Sequence, residues 1–259
     1  MCAGADRRPS NGPAELTSLA YLDCNGFELN QGSHALLRFA QDSRFLAVAS
    51  TGWVRFRDTP SLVSRWRSAI LDSVRVIAGS FRSRTLEAPP GLATRPTSDR
   101  LRETLFNVIA PRISGANFLD LYAGSGAVGI EALSRGAASV TFVERAPAAL
   151  AVLRKNLATL RILTGFAIHS GSVSGFLRKQ HSQFDLIFLD PPYDAAAEYA
   201  STLNLLGGPQ RSLLAPGASV IAEHRRKEHL EESYGQLQRS RLLEQGDAAL
   251  SFFATTGDI

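Results

Sequence analysis

The chain has 259 residues, 44% of them hydrophobic and 20% charged, with a formal net charge of +4 and a pI near 9.4. That is enough for one sizeable globular domain with an appendage, and no apolar run approaches the roughly 20 residues that span a bilayer. The N-terminus lacks the basic-then-apolar layout of a secretion signal, and Cys2 and Cys24 alone make neither a disulfide framework nor a thiol metal cluster, so a cytoplasmic protein without a metal is expected.

Both tryptophans (Trp53, Trp66), both cysteines and the only methionine, Met1, precede residue 73. This first stretch carries short apolar patches such as FLAVAS at 45–50, but no sustained period of 3.6 or 2, and Gly, Ser, Pro and Asn punctuate it. Residues 1–73 are therefore expected to be an N-terminal extension: either disordered or weakly folded, or upstream of a functional chain that starts near Val74. Residues 74–110 form an arginine-rich arm with a first helix, and 111–259 form the main domain.

From Val74 the pattern is regular. VRVIAG at 74–79 and the stretch around Thr85 predict short strands. Ser98 or Asp99 caps a helix, SDRLRETLFNVIA, whose apolar residues at 101, 105, 108 and 109 fall on one face. Strands and helices then alternate: NFLDLYA, a glycine turn, GIEALSRG, SVTFVE, a helix over 146–160, GFAIHS, a helix over 173–181, FDLIFLD, a helix over 195–206, ASVIAEH, and two closing strands over 236–244 and 248–254. Such alternation predicts a doubly wound, mostly parallel sheet of seven strands in a Rossmann-like α/β fold. Ligands in these sheets bind beyond the carboxyl ends of the strands, where strand order reverses.

The glycine turn, DLYAGSG at 120–126, carries Gly124, Gly126 and Gly129 in a G-x-G-x-x-G pattern, with Glu144 twenty residues past Gly124. Glycines let the backbone approach a ligand, and a carboxylate ending the second strand accepts hydrogen bonds from a ribose diol. By itself the pattern suits NAD, S-adenosylmethionine, or a plain strand-to-helix turn. Asp120 tilts it towards S-adenosylmethionine: its carboxylate can face a cationic amino group, and a pyrophosphate gains nothing from it. The expected cofactor-binding residues here are Asp120, Tyr122, Ala123, Gly124, Ser125, Gly126, Glu144 and Arg145, joined by Asp190.

The second informative string is DPPY, Asp190 to Tyr193, after the apolar run LIFL. An exocyclic purine amine is a poor nucleophile because its lone pair is delocalised into the ring. Asp190 and the carbonyl of Pro191 can each accept one N–H, which aims the lone pair at a methyl donor, and an anionic Asp190 favours the positive charge that develops on nitrogen. Pro191 and Pro192 fix φ and hold that carbonyl outward, and Tyr193 offers a face on which a base can stack. The bland alternative is a strand end followed by a Pro-Pro turn with Tyr193 half-buried.

Together these residues resemble the bacterial small-subunit ribosomal RNA guanine-N2 methyltransferases, within the class I S-adenosylmethionine-dependent enzymes. The resemblance covers roughly 74–255 and rests on VRVIAGSFRSRTL at 74–86, RPTSDRLRETLFN at 95–107, LDLYAGSGAVGIEALSRGA at 119–137, FLDPPY at 188–193 and GDAALSFF at 246–253. It implies a methyl transfer to one guanine of 16S rRNA, free or in an assembling 30S subunit, by an enzyme expected to be monomeric. It also implies that Arg95, Thr97 and Arg100 shape the RNA-facing cleft. Where the wider superfamily often places an acid after the third strand, this chain has Gly171 and Ser172, which leaves Ser172 as the candidate adenine contact.

Charge points the same way. Between 75 and 102 six arginines (Arg75, Arg82, Arg84, Arg95, Arg100, Arg102) face two acids, Glu87 and Asp99, although arginine outnumbers lysine 25 to 3 throughout the chain. Arginine forks grip phosphates and stack on bases, so Arg75, Arg82, Arg84, Arg95 and Arg100 are RNA-binding candidates, whereas Arg102 and Glu103 are expected to hold the helix in place. His169, His181, His224 and His229 have neither metal-ligand spacing nor a nucleophile partner, so structural or surface roles are expected. Adenine-N6 methylation of DNA or RNA is the alternative activity, because the amine clamp does not distinguish the purines; a nucleotide-binding protein without methyl transfer is the third reading.

Overall fold

The computed structural model describes residues 36–39, 45–49, 52–55, 74–89, 96–192 and 196–257. The chain divides into two units, Met1–Ser68 and Ala69–Ile259. In the first, β1 (Leu36–Phe39), β2 (Phe45–Ala49) and β3 (Gly52–Arg55) make an antiparallel sheet in the order β1-β2-β3. Each strand has only four or five residues, too few for alternation to stand out as a sustained period in the sequence.

The second unit opens with the arm. β4 (Val74–Arg75) and β5 (Thr85–Leu86) form a two-stranded hairpin, much shorter than VRVIAG suggests, because the chain turns away at 77–79 to meet a helix of the main domain. Helix α1 (Pro96–Ile113) begins two residues earlier than the Ser98 cap, with a proline whose fixed φ suits a first helical turn. Leu101, Leu105 and Ile109 are all buried on one stripe, as their spacing predicts.

The main sheet is built from β6 (Asn117–Leu121), β7 (Ser139–Glu144), β8 (Phe166–Ser170), β9 (Phe184–Leu189), β10 (Leu214–Arg225), β11 (Ser233–Tyr234), β12 (Leu237–Gln245) and β13 (Ala248–Thr255). Its order is β11-β12-β13-β10-β9-β6-β7-β8. The seven expected strands are joined by the two-residue β11, which caps the β12 edge. Pairing is parallel from β10 through β9, β6 and β7 to β8, and antiparallel from β10 through β13 and β12 to β11. The central strands β6 and β9 are buried along nearly their whole length, as strands covered on both faces must be.

Helices α2 (Ala127–Ser134), α3 (Pro147–Thr159), α4 (Val173–Leu177) and α5 (Ala196–Gly207) connect the strands. Two cores result. Phe118, Phe142, Leu186, Phe188 and Ile221 pack with Leu105 and Phe106 of α1 and Leu153 of α3 on one face. Leu119, Leu121, Ile187, Leu189, Val220 and Ala222 pack with Phe176, Tyr199 and Leu203 of α4 and α5 on the other. The second half of α1 runs from the carboxyl edge to the amino edge of the sheet: the Thr104 hydroxyl, midway along the helix, meets the Gln245 side chain at 2.9 Å, and Arg112 in its last turn donates to the Ser219 hydroxyl at 2.7 Å.

The candidate active site

Strand order reverses at β6, whose neighbours β7 and β9 lie on opposite sides. Beyond its carboxyl end the chain enters the glycine turn, where Tyr122, Gly124 and Gly126 have φ of 64°, 56° and 81°. Gly124 is needed for this left-handed backbone, since a Cβ there would meet little. Gly126 has a second reason besides its φ, and Gly129 has that reason alone. A Cβ on Gly126 would come within 2.3 Å of the Leu153 Cδ1, and one on Gly129 within 2.2 Å of the Phe142 ring. These two glycines let α2 lie against α3 and β7; the close approach is to protein rather than to a ligand.

Asp120 is buried, and its Oδ2 accepts from the Gly129 N–H at 2.9 Å in the first turn of α2. Desolvation pushes its carboxyl up to about 7 against that hydrogen bond, and the charges of Asp190 and Glu144 add to the rise. Glu144 ends β7 and ties two loops together: one oxygen accepts from the Gly124 N–H at 2.8 Å, the other from the N–H groups of Arg145 and Ala146, both at 2.8 Å. The oxygen bound to Gly124 keeps a lone pair for a further donor. Arg145 is exposed at the start of α3. The Tyr122 hydroxyl points away from this edge to α5, donating to Glu198 at 2.9 Å and meeting the Thr202 hydroxyl at 3.0 Å. Ser172, two residues past β8, caps α4, its hydroxyl accepting from the Gly175 N–H at 3.2 Å.

Asp190 follows β9 directly and opens on solvent, while Pro191 is buried and Pro192 exposed; neither proline belongs to a strand. Although Asp190 has an open side, the protein packed around its carboxyl removes enough water to push it up to about 7. Asp120, the glycine turn, Glu144, Asp190 and Pro191 thus share the carboxyl edge of three adjacent strands. Tyr193, Arg95 and the side chain of Thr97 lie outside the described residues.

Among the RNA candidates, Arg75, Arg82, Arg84 and Arg100 are exposed, and none makes an ion pair among the described residues. The turn carrying Arg82 and Arg84 docks on the last turn of α2: Ser80 N–H donates to Ser134 O at 2.8 Å and Phe81 N–H to the Ser134 hydroxyl at 2.9 Å. That is about 12 Å along the helix from the glycine turn, at roughly 1.5 Å per residue. Arg102 holds both helix and arm, donating to Asp99 at 2.8 Å and to Arg75 O at 2.7 Å; Glu103 is exposed. His224 is buried between the Ser251 hydroxyl and Arg225 O, each at 2.9 Å, and burial lowers its pKa, so it is a neutral structural residue.

Two residues that hold the arm beside the site are not among the candidates read from the sequence. Buried Glu131 on α2 accepts from Ile77 N–H at 2.7 Å and Ala78 N–H at 3.0 Å, and pairs with Arg135 at 2.7 Å. Buried Asn156 on α3 exchanges hydrogen bonds with the backbone of Glu87 at 2.9 and 3.0 Å and donates to Ser125 O at 3.0 Å, joining arm to glycine turn. The one available signal is a polar residue on an otherwise apolar helix face.

Residues 74–254 match the family described as Conserved hypothetical protein 95. YlbH of Bacillus subtilis, named as an rRNA methyltransferase, is 36% identical over 187 residues, covering 71% of this chain and all of that protein. Ribosomal RNA small subunit methyltransferase D of Escherichia coli is 44% identical over 133 residues, 51% of this chain and 66% of that one. A solved structure of Escherichia coli yhhF, named as a methyltransferase, superposes with a TM-score of 0.63 at 34% identity, covering 71% of this chain and 98% of that one. With a family match that spans 74–254 and a relative matched over its whole length, the chain belongs to the Conserved hypothetical protein 95 family of methyltransferases.

Proposed function

We propose that this chain transfers a methyl group from S-adenosylmethionine to the exocyclic N2 amine of one guanine in 16S rRNA, as free RNA or in the assembling 30S subunit, and that it acts as a monomer. One observation carries the reading: Asp120, Glu144 and Asp190 converge on the carboxyl edge of β6, β7 and β9 around a glycine turn. A space ringed by carboxylates suits a cationic ligand and repels a pyrophosphate, which favours S-adenosylmethionine over NAD.

When bound, S-adenosylmethionine supplies a methyl group on a positively charged sulfur. The backbone of Tyr122, Ala123, Gly124, Ser125 and Gly126 cradles the ligand, the free lone pair of Glu144 receives a ribose hydroxyl, and Arg145 and Ser172 flank the adenine end. Asp190 and the Pro191 carbonyl hold the two amine hydrogens, so the nitrogen lone pair faces the methyl carbon; Pro192 stiffens the turn and Tyr193 stacks on the base. Ionised Asp190 favours the positive charge that grows on nitrogen. Arg75, Arg82, Arg84, Arg95, Thr97 and Arg100 grip the backbone that flanks the target, Arg82 and Arg84 some way along the strand from it. Residues 74–110 then serve as an RNA-facing arm of the domain over 111–259.

The test is methyl transfer from labelled cofactor to small-subunit rRNA. Asp190→Ala should lower the rate on the order of 10²–10³-fold while S-adenosylhomocysteine still binds. The product should be N2-methylguanosine; N6-methyladenosine would support the adenine alternative, and full activity in the variant would overturn the clamp.

A further inference from the structure

The carboxyl edge holds a fourth acid, on β10. Ala222 is level with Leu189 and Ile221 with Phe188, so Glu223 stands beside Asp190 on the neighbouring parallel strand. Both project to the same face: Ile221, Leu186 and Phe188 belong to the core under α1, whereas Ala222, Ile187 and Leu189 belong to the opposite core, and the alternation carries Glu223 and Asp190 to the α1 side. Two like-charged oxygen acids held side by side cannot both ionise cheaply.

The surroundings of Glu223 favour its protonated form. Burial pushes the Glu223 carboxyl well above the ordinary glutamate range, and Asp190 adds to the rise. From α1, Arg102 works in the opposite direction, but it is itself buried, engaged with Asp99 and Arg75 O, and its Nε has no partner among the described residues. From β6, Asp120 is a further acid near enough for the charge of Asp190 to raise it. From β13, Leu250 opposite Glu223 is apolar. The Glu223 main chain is fixed by the Tyr199 hydroxyl, which donates to its carbonyl at 2.8 Å, so the side chain cannot drift with its strand.

We propose that Glu223 is a positioning residue for methyl transfer: in its protonated form it donates its O–H to one oxygen of Asp190 and turns the other oxygen, and the negative charge, towards the target amine. This rests on the reading of Asp190 as the amine clamp. In the step itself the amine lone pair forms the new N–C bond as the C–S electron pair returns to sulfur. The resulting cationic nitrogen gives one proton to Asp190, and the pair, then neutral, releases a proton to solvent through the open side of Asp190.

The experiment compares full-length wild type, Glu223→Ala and Glu223→Gln, with single-turnover rates on 16S rRNA across pH and S-adenosylhomocysteine affinity as a check of the site. Glu223→Ala should slow transfer on the order of 10²-fold with cofactor affinity unchanged, since it frees the carboxylate to turn. Glu223→Gln keeps an N–H donor in the same place and should stay within about threefold of wild type, a loss of well under about 1 kcal/mol. Wild type should also lose rate on the alkaline side as Glu223 gives up its proton, and Glu223→Gln should not. Wild-type rate in the alanine variant, an equally slow glutamine variant, or an alkaline limb that survives in the glutamine variant would each overturn the proposal. If the alanine variant does not fold, the pH profiles of wild type and Glu223→Gln decide it. An inactive wild type, or an active Asp190→Ala, would instead sink the underlying assignment of the clamp.

Discussion

Asp120 is the residue whose environment costs the fold most visibly. Desolvation pushes its carboxyl in the folded protein up to about 7, against 3.8 for an ordinary aspartate. Between those values the folded form keeps a proton that the unfolded form has lost, so stability declines as pH rises from about 4 to about 7 and stays low above. Asp120→Asn keeps an acceptor for the Gly129 N–H and removes the titration. Thermal unfolding should show the variant level with wild type near pH 4 and more stable by about 1–3 kcal/mol at pH 7, with weaker binding of S-adenosylhomocysteine; a stability difference independent of pH would contradict this account. On the function proposed above, the cost is offset by the attraction of a cationic ligand to an acid held there, and perturbed acids gather at such sites.

At the scale of elements, the arm belongs to the same unit as the main domain by virtue of its backbone. Glu131 and Ser134 on α2 and Asn156 on α3 satisfy the N–H groups of Ile77, Ala78, Phe81 and Glu87, groups that a short hairpin cannot pair by itself. Asn156→Ala strands the partly buried Glu87 N–H and removes a donor from the Glu87 and Ser125 carbonyls. It should destabilise the domain by about 1–3 kcal/mol, and hydrogen exchange should quicken at Glu87 while the strands β6 and β9 stay protected. Uniform deprotection of the sheet would mean that Asn156 supports the whole core instead. The elements themselves were largely legible. Leu101, Leu105 and Ile109 announced α1, and the apolar runs NFLDL and FDLIFL announced the two central strands, because burial on both faces writes itself into consecutive residues. VRVIAG is a short strand as its run predicts, but shorter than its six residues: after Arg75 the backbone turns to α2, which local composition does not encode.

For the whole molecule, the family match and the compact unit both leave most of the first 73 residues aside. A chain beginning at Val74 should therefore keep methyl-transfer activity within a few-fold, measured on the same RNA; collapse of activity would make the N-terminal segment a working part. Arg82→Ala with Arg84→Ala should weaken RNA binding and reduce the slope of log K against log salt by about 1–2, at about 0.7–0.9 for each phosphate no longer neutralised. An unchanged slope would remove these arginines from the interface.

The local strings DLYAGSG and DPPY, the alternation of strands and helices and the apolar face of α1 were readable in the chain alone, since each depends on a few neighbouring residues and one backbone geometry. The fold class and the acids Asp120, Glu144 and Asp190 followed from them. What needed the tertiary structure was adjacency. That Gly126 and Gly129 make room for Leu153 and Phe142, that Asn156 clasps the arm, and that Glu223 stands beside Asp190 depend on strand order and register. Those are set by the packing of residues far apart along the chain, and no local pattern carries them.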